Sequence, residues 1–94
     1  MTNREIAQIF RGLAELLRAK KDNIFKIRAY EKVARSIEQL AVPVAQLVAE
    51  GRLKEIDGAG EIIRKKITEM VTTGKLAAYE KLKAEMKAQD EGTG

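Results

Sequence analysis

Apolar residues recur along most of this chain at three- and four-residue steps, with polar residues between them. Ile6, Ile9, Phe10, Leu13, Leu16 and Leu17 form the first such stripe, the spacing of one helix face. Thr2 stands three residues before Glu5, the pairing of a capping box. The pattern therefore predicts a helix from there to about Lys20. Asp22-Asn23 is turn chemistry. A second helix is expected from about Phe25 to Leu40, with Tyr30, Val33, Ala34, Ile37 and Leu40 turned inward. Pro43 suits the first turn of a short third helix carrying Val44, Leu47 and Val48, and Gly51 stands where its C-terminal cap belongs. Leu53 to Gly60 reads as a tight connection. A fourth helix follows to about Thr73, where Gly74 stops it, and Leu76, Tyr79, Leu82 and Met86 mark the inner stripe of a fifth. The polar residues 89–94 are expected to form a disordered tail beyond a domain spanning 1–88. The fold class is all-α, a compact bundle of about five short helices around one core.

At 94 residues the chain is one small domain. It has no cysteine, which excludes disulfides and thiolate metal sites, and no histidine, which removes the usual neutral-pH base and the commonest zinc ligand. Any chemistry must run on lysine, tyrosine or carboxylates. The balance of 18 Lys+Arg against 14 Asp+Glu, a net +4, is compatible with a polyanionic partner but does not require one. No stretch approaches the run of about 18 apolar residues that crosses a bilayer, and no signal peptide opens the chain. No membrane partner is expected, and a cytoplasmic location is, among nucleoid-associated proteins if the source is a bacterium.

The informative segment is Leu53-Lys54-Glu55-Ile56-Asp57-Gly58-Ala59-Gly60, followed by Glu61-Ile62-Ile63-Arg64-Lys65-Lys66-Ile67. Two glycines flanking one residue allow a turn with positive φ and leave little side chain over the backbone. The first amides of the helix behind them lack intrahelical acceptors, and with the positive end of the helix dipole they can seat a phosphate oxygen. Arg64, Lys65 and Lys66 follow within about two turns to add charge-assisted contacts. Such contacts read no base, so DNA binding through Gly58, Ala59, Gly60, Arg64, Lys65, Lys66, Lys54 and Lys26 should be largely independent of sequence. A plain turn between two helices explains the glycines equally well. Helix, tight Gly-x-Gly turn and helix together form the helix-hairpin-helix arrangement, which looks like a recurring DNA-binding unit.

Asn23-Ile24-Phe25-Lys26-Ile27-Arg28-Ala29-Tyr30, with Ala34 and Ile37, resembles the Asn-Pro-Phe-Lys-x-x-Ala-Tyr segment of family X DNA polymerases. Ile56 to Gly60, Lys66-Ile67-x-Glu69 and Thr73-Gly74-Lys75-Leu76 continue the resemblance in the same order, over about residues 3 to 86. The whole is similar to the N-terminal domain of the polymerase beta-like members, closest to the bacterial ones. That resemblance implies binding at gaps or 5′-phosphate ends in base excision repair. It also implies a monovalent cation, Na⁺ or K⁺, on the backbone carbonyls of Lys54, Ile56 and Ala59, with no other cofactor. A polymerase or nuclease domain in a longer parent chain is an implied partner. No carboxylate set for two-metal polymerisation is recognisable, so these residues themselves are not expected to polymerise.

In some members of that family the same domain is a 5′-deoxyribose-phosphate lyase. The nucleophile position falls on Lys66, and supporting positions fall on Lys26 and Tyr30. On a helical wheel Lys66 lies about 60–80° off the inner face of Ile63, Ile67, Met70 and Val71. Partial desolvation at such a boundary favours the neutral amine that attacks an aldehyde. Boundary lysines also commonly just snorkel. The sequence departs from the family pattern in five places. Ile62 and Ala78 stand where lysines are expected, and Phe25, just before Lys26, cannot donate a proton. Asp57 replaces a common proline, and Glu61 a common lysine. These departures predict weaker DNA binding and keep open a third reading, a helical scaffold for protein contacts without DNA.

Overall fold

The computed structural model describes residues 1–93, with side chains to residue 88. The expected tail at 89–94 lies outside the residues whose side chains are described. The described residues form five α-helices and one 3₁₀ turn: α1 (Asn3–Ala19), α2 (Ile24–Glu38), α3 (Val44–Ala49), the turn Leu53–Glu55, α4 (Glu61–Thr73) and α5 (Ala77–Thr93). The all-α reading holds, and so does the order of the elements.

Local signals start and stop these helices. The Thr2 hydroxyl accepts from the Glu5 amide at 3.1 Å, while the Glu5 carboxylate accepts from the Thr2 amide at 2.8 Å. Those hydrogen bonds hold the Glu5 carboxyl below its ordinary range. Asn23 does more than turn the chain, because its side chain caps α2 by accepting from the Phe25 amide at 2.8 Å. Lys21 takes a left-handed φ of +58° as α1 ends, and the Asp22 amide reaches back to Leu17 O at 2.9 Å. A non-glycine residue in that conformation costs about 1–2 kcal/mol, which the closed turn offsets by satisfying α1's last carbonyls.

α1 and α2 run antiparallel, so Arg18 near the end of α1 meets Glu31 at 3.0 Å and Arg11 meets Glu38 near the end of α2. Between them Ile6, Phe10, Leu13 and Leu17 bury against Ile27, Tyr30, Val33 and Ile37. The Phe10 and Tyr30 rings stack with centroids 5.8 Å apart. α5 crosses α1 where Gly12 leaves room for Tyr79; a Cβ on Gly12 would meet the Tyr79 hydroxyl at 2.5 Å.

Pro43 sits one residue earlier than the sequence suggested, at the N-cap of α3, and its side chain forms no capping hydrogen bond. The cap comes from the other end of the chain. Asn3 accepts from the Val44 amide at 2.8 Å through Oδ1 and donates to Val42 O at 2.9 Å through Nδ2. This pair of bonds joins the α1–α2 half to the α3–α4 half.

Candidate nucleic-acid interface

Leu53, Ile56 and Ala59 are buried and pin the hairpin to the core, while Asp57, Gly58 and Gly60 between and after them stay exposed. The Ala59 amide closes the turn on Ile56 O at 3.1 Å. Gly58 has φ +86°, which favours glycine. Gly60 has φ −70° and ψ 178°, open to any residue, and a Cβ there would meet nothing within 4 Å. Its backbone does not need glycine, so only one of the two glycines carries the turn. A bare Gly60 leaves clear the start of α4, which no side chain caps. The amides of Glu61, Ile62 and Ile63 precede the first helical bond, from Arg64 N to Gly60 O at 2.9 Å, and so lack intrahelical acceptors.

The two carboxylates beside this seat each face a lysine. Asp57 lies 3.7 Å from Lys32 and Glu61 lies 3.7 Å from Lys65, all four side chains more than half exposed. Such pairs are worth little in stability, but they blunt the negative charge at the hairpin. Lys32 escaped the sequence reading. It belongs to α2, and its methylenes pass within 3.3 Å of where a Gly58 Cβ would stand, a proximity that no spacing within one helix signals.

The basic residues of α4 divide between two surfaces. Arg64 and Lys65 line an open groove of about 480 Å³ between α3 and α4, with Lys54 and Thr68. Within it Arg64 Nη1 donates to Ala59 O at 2.8 Å. Of the three carbonyls that the resemblance assigns to a cation, Ala59 O accepts from the Arg64 guanidinium and Ile56 O carries the turn's own bond from the Ala59 amide. Lys66 turns the other way, into a cleft of about 270 Å³ closed by α5, where Lys26, Tyr30 and Lys81 join it over a floor that includes Leu13, Leu17 and Leu82.

This cleft brings together Lys66, Lys26 and Tyr30, the three positions that the resemblance implies for a lyase site. Lys66 is half-buried and Lys26 exposed. Tyr30 is only 4 % exposed, and burial, followed by the nearby Asp22 charge, raises its phenol above the ordinary range. Its hydroxyl therefore stays protonated at neutral pH and can donate a hydrogen bond but cannot act as a base. Lys81 and Glu85 were not foreseen. Ala78 occupies the expected lysine position, and Lys81 lies three residues on, on the same face of α5. Among the described residues Glu85 is the one carboxylate lining the cleft, and Lys20 holds it at 3.7 Å. Near the starts of α2 and α4, Phe25 and Ile62 are 76 % and 69 % exposed.

A family model described as a helix-hairpin-helix domain matches residues 1–76. The chain belongs to the helix-hairpin-helix domain family. Helix-hairpin-helix domains generally bind DNA without regard to its sequence, which agrees with an uncapped helix start that offers amides rather than base-reading side chains. The matched residues include the hairpin and all of α4 but end at Leu76. The α5 wall of the cleft, with Lys81 and Glu85, therefore lies beyond the part of the chain that matches the helix-hairpin-helix domain. No curated protein matches the chain. Among the described residues no helix is long and apolar enough to cross a membrane, and no cluster of acidic side chains is arranged to hold a metal ion.

Proposed function

We propose that this domain holds the 5′-phosphate side of a gap or break in DNA, as the N-terminal domain of a family X polymerase would during repair. The observation that carries this reading is the cleft beside the hairpin helix, where Lys26, Lys66 and Lys81 line the walls together with Glu85, a carboxylate already engaged by Lys20. The hairpin amides and Arg64 side take one strand's backbone, and the cleft takes the terminal phosphate, whose two charges suit several ammonium groups better than an internal diester does. Exposed Phe25 offers a face on which an unpaired base can stack. In a longer chain the domain would present such ends to a polymerase or nuclease domain.

A backbone-amide titration by NMR tests this. A gapped duplex with a 5′-phosphate is expected to shift Gly58 to Lys66 together with Lys26, Tyr30 and Lys81. The same duplex without the phosphate should shift the hairpin and leave the cleft unmoved. With four to six phosphate contacts, affinity should fall with salt at a log–log slope of about −3.5 to −5.5. Amides unmoved by either duplex would favour the protein-scaffold reading instead.

The shared cleft of Lys66, Lys26 and Tyr30 also favours a lyase reading. Lys66 Nζ would add to the C1′ aldehyde of a 5′-deoxyribose phosphate and expel water to form a Schiff base. Loss of a C2′ proton to solvent water would then break the C3′–O bond, its electron pair leaving with the DNA 5′-phosphate, and hydrolysis of the imine would return the lysine and release the unsaturated sugar aldehyde. Tyr30, protonated at neutral pH, orients the sugar through its hydroxyl. Borohydride should trap a covalent adduct with the intact protein and none with Lys66→Ala. An adduct that persists in Lys66→Ala would remove the lysine from this role.

A further inference from the structure

We propose that the Arg64 guanidinium takes the place of the monovalent cation expected on the hairpin carbonyls, so that this hairpin engages a DNA phosphate without a bound alkali ion. An alkali ion would need the carbonyl oxygens of Lys54, Ile56 and Ala59 to converge on it. Ala59 O instead accepts from Arg64 Nη1 at 2.8 Å, which sets a fixed positive charge at the carbonyl set, while Ile56 O carries the turn's own bond from the Ala59 amide at 3.1 Å. The bond from Arg64 is partly buried and spans only five residues, so the same helix turn that presents the free amides also holds the guanidinium. A guanidinium stays charged at any pH a protein tolerates. A second cation at the same carbonyls would meet that charge at close range, where partial burial limits screening.

The substitution changes where the positive charge comes from and leaves its purpose intact. An alkali ion must be recruited from solution and is exchangeable. Arg64 is tethered to the first turn of α4, and only one of its five N–H donors is used on Ala59. Four remain for a phosphate oxygen beside the amides of Glu61 to Ile63, in bonds stronger than neutral ones. Lys54, whose carbonyl was the third member of the set, lines the same groove as Arg64 and adds its ammonium to this side of the hairpin.

The part of this inference that concerns phosphate rests on the DNA-binding reading, and the part that concerns the carbonyls does not. Carbonyl carbon chemical shifts of Lys54, Ile56 and Ala59 are to be followed without DNA while tetramethylammonium, too bulky for the carbonyl set, is exchanged for K⁺ or Na⁺ at constant chloride. The intact domain is expected to show no saturable shift at these three residues. A saturable, site-specific shift would overturn the proposal. Arg64→Met keeps the aliphatic stem and frees Ala59 O, and it should acquire the K⁺ response. A variant as unresponsive as the parent would also overturn the proposal. With gapped DNA added, the parent's Kd should stay within threefold between K⁺ and tetramethylammonium, and a larger loss in tetramethylammonium overturns it. If DNA fails to bind in every salt, the DNA reading falls, while the carbonyl shifts still decide the fate of the cation claim.

Discussion

Phe10→Ala is expected to remove most of the domain's stability. Phe10 is fully buried and heads the largest side chains of the core. Truncating such a ring costs about 3–5 kcal/mol through lost transfer energy and the cavity left behind. A domain of this size has only about 5–10 kcal/mol in total. Urea denaturation should show the midpoint falling with little change in slope, and heat should unfold the variant about 15–30 °C earlier. Phe10→Leu, which refills most of the space, should cost far less. A loss under about 1 kcal/mol for alanine would mean that the stack with Tyr30 is not central to the core. The effect reaches the site as well, because Tyr30 rests on Phe10 with one face and lines the lysine cleft.

Lys66→Glu is expected to abolish the preference for a phosphorylated end. A charged hydrogen bond contributes about 1.5–3 kcal/mol, and reversing the charge sets a carboxylate against the phosphate beside Glu85. The combined effect is a loss of about 30-fold in affinity, equivalent to roughly 2 kcal/mol. Fluorescence anisotropy with labelled gapped duplexes, with and without the 5′-phosphate, separates the two surfaces. The variant should still bind the unphosphorylated duplex through the hairpin and the Arg64 groove. If both duplexes weaken equally, Lys66 contributes only general charge and the cleft has no special relation to the end.

Helix content, helix order and the starting cap were legible because each depends on residues within one or two turns of each other. The Thr2–Glu5 box and the inward stripes of α1 and α2 are of this kind. The meeting of Lys66 with Lys26 and Tyr30 was legible only through the family resemblance, since it requires two helices to pack at a particular register. Lys32 and Lys81 were not legible at all. Both reach their places by helix crossing, and a lysine on a helical sequence looks alike wherever its neighbour helix runs. The two hairpin glycines looked equivalent as letters, but their torsions differ, with Gly58 at +86° and Gly60 at −70°. Arg64 read as a phosphate ligand, and nothing in its spacing announced that it first folds back on Ala59.

The bonds from Asn3 to Val42 and Val44 bear on how this unit can be cut and reused. A six-residue helix such as α3 is too short to persist alone, and its first amide is satisfied by a side chain 41 positions upstream. A fragment trimmed to the hairpin and its two flanking helices would lose that anchor along with the α1 face beneath it. The smallest graftable module therefore begins at Thr2, and the hairpin cannot be transplanted as a free-standing loop.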